Sequence, residues 1–102
     1  MNTTVVNVRT DAFDIYIGRR APKARDPRCR FDSIWGNPFR IGPDGDRDEV
    51  IRKYRIYLFS NPELLRQART ILKGKRLGCW CFPLPCHGDV LISVVDGSLG
   101  EG

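Results

Sequence analysis

The 102-residue sequence has no long apolar run. No stretch approaches the roughly 20 apolar residues that a membrane-spanning helix needs, which excludes such a segment. The first residues, MNTTVVNVRT, also lack the basic and continuous apolar segments of a secretory signal. We therefore expect a cytoplasmic protein with no membrane partner, in which the four cysteines are thiols or metal ligands rather than a disulfide framework.

Negative charge is scarcer than positive charge. Lysine and arginine number 17 against 12 aspartates and glutamates, so the formal net charge is +5. Six of the cations crowd one short loop: Arg19, Arg20, Lys23, Arg25, Arg28 and Arg30. This distribution favours an anionic partner, either a nucleotide or other anionic small molecule or, as the alternative, a nucleic acid. A solvated basic surface explains the same excess about equally well.

The hydrophobic pattern predicts one α/β domain over residues 1–95 and a flexible tail over residues 96–102. Strands are predicted over 3–9, 13–19 and 75–81. Helices are predicted over 47–59, from Pro62 to Gly74, and from Cys86 or His87 onward; Asp46 and Glu49 form a capping box for the first. This order predicts a small single-domain, Rossmann-like fold with a mostly parallel sheet and about three helices.

Residue spacing also assigns side chains to faces. The second strand should place three residues on one face: Phe13, Ile15 and Ile17. The third should do the same for Leu77, Cys79 and Cys81, leaving Trp80 on the other face. The second helix should bury a stripe formed by Leu64, Leu65, Ala68, Ile71 and Leu72.

A connection without periodicity runs from Arg19 to Gly45, and loops of this length in so small a domain are usually functional. It contains the segment SIWGNPF, residues 33–39. Gly36 can adopt positive φ and Asn37 precedes proline, so the loop should have a defined shape. Trp35 is expected to anchor this loop on the core more often than to contact a ligand.

The segment GCWCFPLPCHGDVL, residues 78–91, holds three cysteines and the single histidine. Its spacing, C-x-C-x4-C-H, offers zinc four ligands: Cys79, Cys81, Cys86 and His87. Zinc is the cofactor that this set could hold, although it lacks the two C-x2-C knuckles of the usual structural site. Packing in the core is an adequate alternative explanation for Cys79 and Cys81, which share a face with the core residue Leu77.

The start of the third helix supplies three candidates for catalysis: Cys86, His87 and Asp89. A thiol at a helix N-terminus has a lowered pKa, which makes Cys86 the preferred reactive thiolate. Adjacent residues of a helix point about 100° apart, so Cys86 and His87 should not form a nucleophile and base pair. Asp89 could equally well only stabilise the first turn.

The same segment could instead hold a phosphate or nucleotide. Gly88 allows close approach of the backbone, the helix N-terminus supplies N–H donors, and nearby arginines could reach the charge. The predicted ligand-binding residues are Arg19, Trp35, Gly36, Asn37, Phe39, Arg40, Trp80, Cys86, His87, Gly88 and Asp89.

In chain order, VVNVR, DIYIGR, WGNPF, LGCWCFPLPCHGDVL and the intervening EVIRKY resemble domain-of-unknown-function family 4326, small proteins of bacteria and their phages. The resemblance spans about residues 4–95 and implies one composite site built from IGR, WGNPF and CWC…CHGD. It implies no activity. Three hypotheses follow: a binder of a nucleotide or other phosphorylated ligand that could also act on it, a zinc-stabilised nucleic-acid-binding module without catalysis, and a phage or host accessory protein that binds a partner through WGNPF.

Overall fold

One sheet of three parallel strands lies at the centre of the fold. The computed structural model describes residues 2–96, with strands β1 (Thr4–Asn7), β2 (Ile15–Tyr16) and β3 (Arg76–Cys79) and helices α1 (Arg47–Phe59), α2 (Pro62–Ile71) and α3 (His87–Val95). The strand order is β1–β3–β2, so β3 pairs with both neighbours and Leu77 lies opposite Val5 and Ile15. A short 3-10 helix, Pro27–Arg30, lies in the long connection between β2 and α1.

These elements confirm the predicted α/β class, with a parallel sheet and three α-helices in the described residues. The likeness to Rossmann-type domains stays a prediction. None of the helices in residues 2–96 is long and apolar enough to cross a membrane. Of the predicted tail, Asp96 accepts hydrogen bonds from the backbone and hydroxyl of Thr3, and residues 97–102 lie outside the described part of the chain.

Helix α1 has the predicted bounds, and it begins at Arg47 because its N-terminal cap is formed by neighbouring residues. The side chain of Asp46 accepts from the backbone of Glu49 at 2.9 Å, and the side chain of Glu49 accepts from the backbone of Asp46 at 2.9 Å. This capping box satisfies donors that an uncapped helix leaves unpaired. Gly74, with φ of 72°, takes the left-handed conformation that ends the α2 segment.

The sheet separates two apolar clusters. Alternate residues of the strands point to opposite faces, and the larger cluster packs under the three helices with Ile17, Leu77 and Cys79 inside it. The smaller cluster covers the other face and contains Phe13, Tyr16, Ala24 and Cys29, with Trp80 packed against it. The prediction that Leu77, Cys79 and Cys81 lie on one face of β3 and Trp80 on the other is confirmed.

Two predicted side-chain positions are wrong. Phe13 lies with Tyr16, on the face opposite Ile17, because regular pairing begins only at Ile15 and the preceding backbone does not follow strand alternation. Ile71 is 44% exposed, because the end of the α2 segment turns its neighbour Leu72, which is fully buried, toward the core instead.

At Gly78 another segment of the chain lies directly against the sheet backbone. The segment between the parallel strands β1 and β2 must return over one face, and Val8 and Phe13 of that segment lie directly on Gly78. A Cβ built on Gly78 would stand 2.7 Å from both Val8 Cγ1 and Phe13 Cγ. Glycine therefore lets the smaller cluster contact the sheet backbone.

We expect Gly78→Ala to destabilise the protein by about 1–3 kcal/mol, because the added methyl must displace a packed ring and a valine. Chemical denaturation followed by circular dichroism measures this. Arg76→Ala, at an exposed position of the same strand, is the control and should change the unfolding free energy by less than about 0.5 kcal/mol. Equal losses of stability in the two variants would contradict the idea that Val8 and Phe13 require glycine at position 78.

Candidate functional site

A pocket of about 830 Å³ opens at the carboxyl ends of β2 and β3. Ligands of parallel α/β sheets bind at this end of the strands, where loops meet helix N-termini. Here the chain leaving β2 contributes Gly18 and Arg19, and the chain leaving β3 contributes Trp80 and Cys81. The start of α3 completes the wall with Cys86 and His87.

The lining of the pocket is cationic. It includes no aspartate or glutamate but four arginines: Arg19, Arg20, Arg40 and Arg47. Arg47, the first residue of α1, donates from Nη1 to the carbonyl of Pro85 at 3.1 Å and so holds the loop before α3. Sequence patterns did not identify Arg47 because its proximity to Pro85 depends on how α1 packs against α3.

The WGNPF loop is held mainly by Asn37. Its Nδ2 donates to the carbonyl of Val50 at 3.0 Å, and its Oδ1 accepts from the backbone of Phe39 at 2.9 Å. Arg19 donates from Nη2 to the carbonyl of Asn37 at 2.9 Å and to that of Phe39. The side chain of Asn37 thus shapes the loop through Oδ1 and ties it to α1 through Nδ2, and Arg19 joins the loop to the end of β2.

The predicted aromatic contacts divide into two groups. Trp35 is 3% exposed and does not line the pocket; its carbonyl accepts from the hydroxyl of Tyr54 at 2.8 Å, so it anchors the loop in the core. Phe39 and Trp80 do line the pocket and are half-buried. Trp80 donates from Nε1 to the hydroxyl of Tyr16 at 2.7 Å, which fixes its ring at the rim.

Three predicted ligand residues are instead used to build the scaffold and do not line the pocket. Gly36 donates to the carbonyl of Ser33 in a turn. A Cβ on Gly88 would stand 2.7 Å from Val5 Cγ2, so glycine lets α3 approach β1. Asp89 accepts a hydrogen bond from the backbone N–H of Cys86 at 3.1 Å and caps α3. This is the helix-stabilising role that the sequence offered as an alternative to catalysis.

The four predicted zinc ligands are not brought together. Among residues 2–96 no group of three or more histidine, cysteine or acidic side chains is arranged to hold a metal ion. The sulphurs of Cys79 and Cys86 lie 3.5 Å apart, but His87 points its Nε2 at the carbonyl of Ile17 instead. All four cysteines are free thiols, and Cys29 lies in the smaller cluster on the far side of the sheet.

Cys79 and Cys86 form a coupled thiol pair in the pocket wall. The pKa of Cys79 is lowered to about 6, mainly because the thiol of Cys86 donates to it and also because the backbone N–H groups of Phe82 and Cys81 do. The pKa of Cys86 is raised by the same partner and by burial. The pKa is thus lowered at Cys79 and raised at Cys86, whereas a place at a helix N-terminus would by itself lower the pKa of Cys86.

His87 is held as a neutral imidazole. Its Nε2 lies 2.7 Å from the carbonyl of Ile17, and a carbonyl only accepts, so Nε2 carries the proton and Nδ1 is an acceptor. The ring is 9% exposed and meets Tyr54 edge-on with centroids 4.9 Å apart. Burial lowers the pKa of His87, and no hydrogen bond joins it to Cys86, as the helix geometry predicts.

Comparison with known proteins places the chain in a family. A family model described as a domain of unknown function (DUF4326) matches residues 3–97. The chain is also 33% identical over 96 residues to an Enterobacteria phage T4 protein, the uncharacterized 12.4 kDa protein in the nrdA-td intergenic region, covering 90% of this chain and 76% of the relative. No solved structure matches. The chain therefore belongs to the DUF4326 family, as its motifs predicted.

We expect Cys86→Ala to raise the pKa of Cys79 from about 6 toward the ordinary thiol value, because the substitution removes the thiol donor. Ultraviolet absorbance of the thiolate against pH measures this. Cys29→Ala, which removes a buried thiol outside the pair, should leave the titration unchanged. A titration near pH 6 that persists in Cys86→Ala would contradict the pairing.

We also expect His87→Gln to reduce the loss of stability in acid. The folded pKa of His87 lies below its unfolded value, so the unfolded chain takes up the proton more readily, and stability falls as pH drops below about 6.5. Denaturation at a series of pH values from neutral to about 5 should give a slope shallower than wild type by up to roughly 1 kcal/mol per pH unit. Parallel slopes for the two proteins would show that His87 is not buried as a neutral ring.

Proposed function

We propose that this DUF4326 protein binds a nucleotide or another phosphorylated small molecule in the pocket at the ends of β2 and β3. The observation that carries the proposal is a lining with four arginines and no carboxylate. An uncompensated cationic pocket favours a polyvalent anion, since arginine matches phosphate with paired N–H donors.

Two of the arginines are available to a ligand. Arg20 and Arg40 are exposed, and their guanidinium groups make no hydrogen bond within residues 2–96. Arg19 holds two backbone carbonyls and Arg47 holds one, so these two arginines fix the rim while adding positive charge. The start of the nine-residue helix α3 meets the same pocket, but its first turn is already capped by the Asp89 carboxylate, so the positive charge of the site comes from the arginines.

The remaining wall suits the uncharged part of a nucleotide. Phe39 and Trp80 present half-buried aromatic rings, and Val50 and Ile51 add apolar surface from α1. The volume of about 830 Å³ lies within the roughly 300–1,000 Å³ of small-molecule pockets. A base or similar ring would contact these side chains while its phosphate contacts the arginines.

If the ligand undergoes a reaction, His87 and the thiol pair are the groups in position to take part. His87 lines the pocket with its Nδ1 as a proton acceptor, and the Cys79 sulphur is the group with the lowered thiol pKa. The proposal places the protein in the cytoplasm, where these thiols would remain reduced.

Binding of a protein partner is the second candidate function. The loop that contains WGNPF exposes three large apolar side chains: Phe31, Ile34 and Ile41, which are 71%, 61% and 52% exposed. Apolar groups exposed together favour an interaction surface. Comparative pull-down with wild type and Ile34→Ser would test this candidate without disturbing the buried Trp35.

We expect Arg40→Ala to weaken binding of the preferred nucleotide at least tenfold, because charge-assisted hydrogen bonds to phosphate contribute about 1.5–3 kcal/mol. Thermal unfolding with AMP, ADP, ATP, ADP-ribose and inorganic phosphate identifies the preferred ligand, and calorimetry measures the affinities. Arg69→Ala, at an exposed position of α2 outside the pocket, should bind as wild type does. No stabilisation by any of these compounds at millimolar concentration would overturn the proposal.

A further inference from the structure

A second pocket lies beside the first, on the other side of Trp80. Its volume is about 690 Å³, and its walls are the segment after β1 and the basic loop before and within the 3-10 helix. Trp80 lines both pockets. The basic loop also runs along both, with Arg19 to Ala21 in the first pocket and Lys23 to Cys29 in the second. The two pockets are therefore connected by a shared ring and a shared stretch of chain.

The excess positive charge of the protein is concentrated at these two pockets. Eight of the 17 lysines and arginines line them, but only two of the 12 aspartates and glutamates do, Asp11 and Asp26. The remaining cationic and acidic residues nearly balance. The net charge of +5 is thus a local property of this surface and not a general solvated coat.

The second pocket has cations that are free for a partner. Arg28 is committed, since it pairs with Asp26 at 2.7 Å and lies 3.9 Å from the centroid of Phe13. That pair also neutralises one of the two carboxylates. The side chains of Lys23 and Arg25 are exposed and make no hydrogen bond or ion pair within residues 2–96.

We infer that the two pockets together bind a single-stranded nucleic acid, with one nucleotide in the first pocket and the adjoining phosphates following the basic loop past Trp80. The inference rests on the proposed function of the first pocket and extends it to a polynucleotide. One nucleotide would use the cations of one pocket only, whereas a strand carries a charge at each residue. Cationic grooves with an aromatic ring between them are typical of single-strand binding, because unpaired bases stack on the ring while the backbone follows the charge.

A duplex fits this surface less well. Its bases are stacked on one another and are not available to the ring face of Trp80. The edge of this ring is not available to base edges either, because its indole N–H is already bonded to Tyr16. Arg9 lies over the Trp80 ring, with its Cζ 5.2 Å from the ring centroid, and adds a further cation there. When a base stacks on the remaining surface of the ring, the Arg9 guanidinium would lie near a phosphate of the strand.

The test measures how the same protein variants bind a mononucleotide, a short single strand and the matching duplex. Fluorescence anisotropy measures binding of labelled eight-nucleotide DNA and RNA single strands and of the matching duplexes, and calorimetry measures the preferred mononucleotide. We expect wild type to bind a single strand at least tenfold more tightly than the mononucleotide and than the duplex. Lys23→Ala/Arg25→Ala should weaken single-strand binding at least tenfold and change mononucleotide affinity less than twofold.

The salt dependence adds an independent readout. Loss of two phosphate contacts should make the slope of log affinity against log salt shallower by about 1.4, as each contact to a single strand contributes about 0.7. Arg69→Ala should change neither affinity nor slope. Because Lys23 and Arg25 are exposed, the double variant should unfold at the wild-type temperature, which thermal unfolding checks.

The outcomes separate this inference from the proposal on which it rests. A mononucleotide that binds as tightly as the single strand, or a double variant that binds the strand like wild type, would overturn the inference and leave the nucleotide pocket standing. Equal affinity for duplex, or equally strong competition by an acidic peptide, would overturn it in favour of unselective charge attraction. Strand binding without any mononucleotide binding would support the second pocket and overturn the proposed function of the first.

Discussion

The buried hydrogen bond between His87 and Ile17 is the interaction on which the site depends most directly. It joins the residue that follows β2 to the residue that begins α3, two points 70 positions apart in the sequence, at 2.7 Å. A buried polar contact of this kind fixes direction as well as proximity, because both groups would lose a partner if either element rotated. The mouth of the pocket is formed by the chain on either side of this bond, at Gly18 and Cys86.

The residues that carry the resemblance to the DUF4326 family mainly shape the loops and the start of α3 in this protein. Asn37, Cys86 and Asp89 lie in the blocks that carry the resemblance, and their side chains satisfy backbone groups of the loop, of α1 and of the start of α3. Helix ends and irregular loops leave many such groups unpaired, and a small domain has few other side chains to satisfy them. The motifs therefore explain how the loop ends are shaped, while the exposed arginines around them remain available for a ligand.

The parts of this fold that the sequence predicts are those determined by neighbouring residues. The start of α1 follows from a capping box within four residues of sequence, and the faces of β3 follow from alternation. Phe13 was placed on the wrong face because its environment is set by the crossing over Gly78, a contact between residues 65 positions apart. The same applies to the site: the three loop segments were predictable as neighbours from parallel topology, but the position of Arg47 and the direction of the His87 ring depend on tertiary packing.

The thiol pair and the arginines divide the electrostatics of the pocket between its wall and its rim. Cys79 is 2% exposed, and a negative charge there would be stabilised by the Cys86 thiol and two backbone N–H groups, with no arginine among the causes of its lowered pKa. A thiolate held in this way consumes none of the guanidinium donors at the mouth. Arg20 and Arg40 thus stay unpaired in the free protein, and an incoming phosphate would not have to displace an internal counter-ion from them.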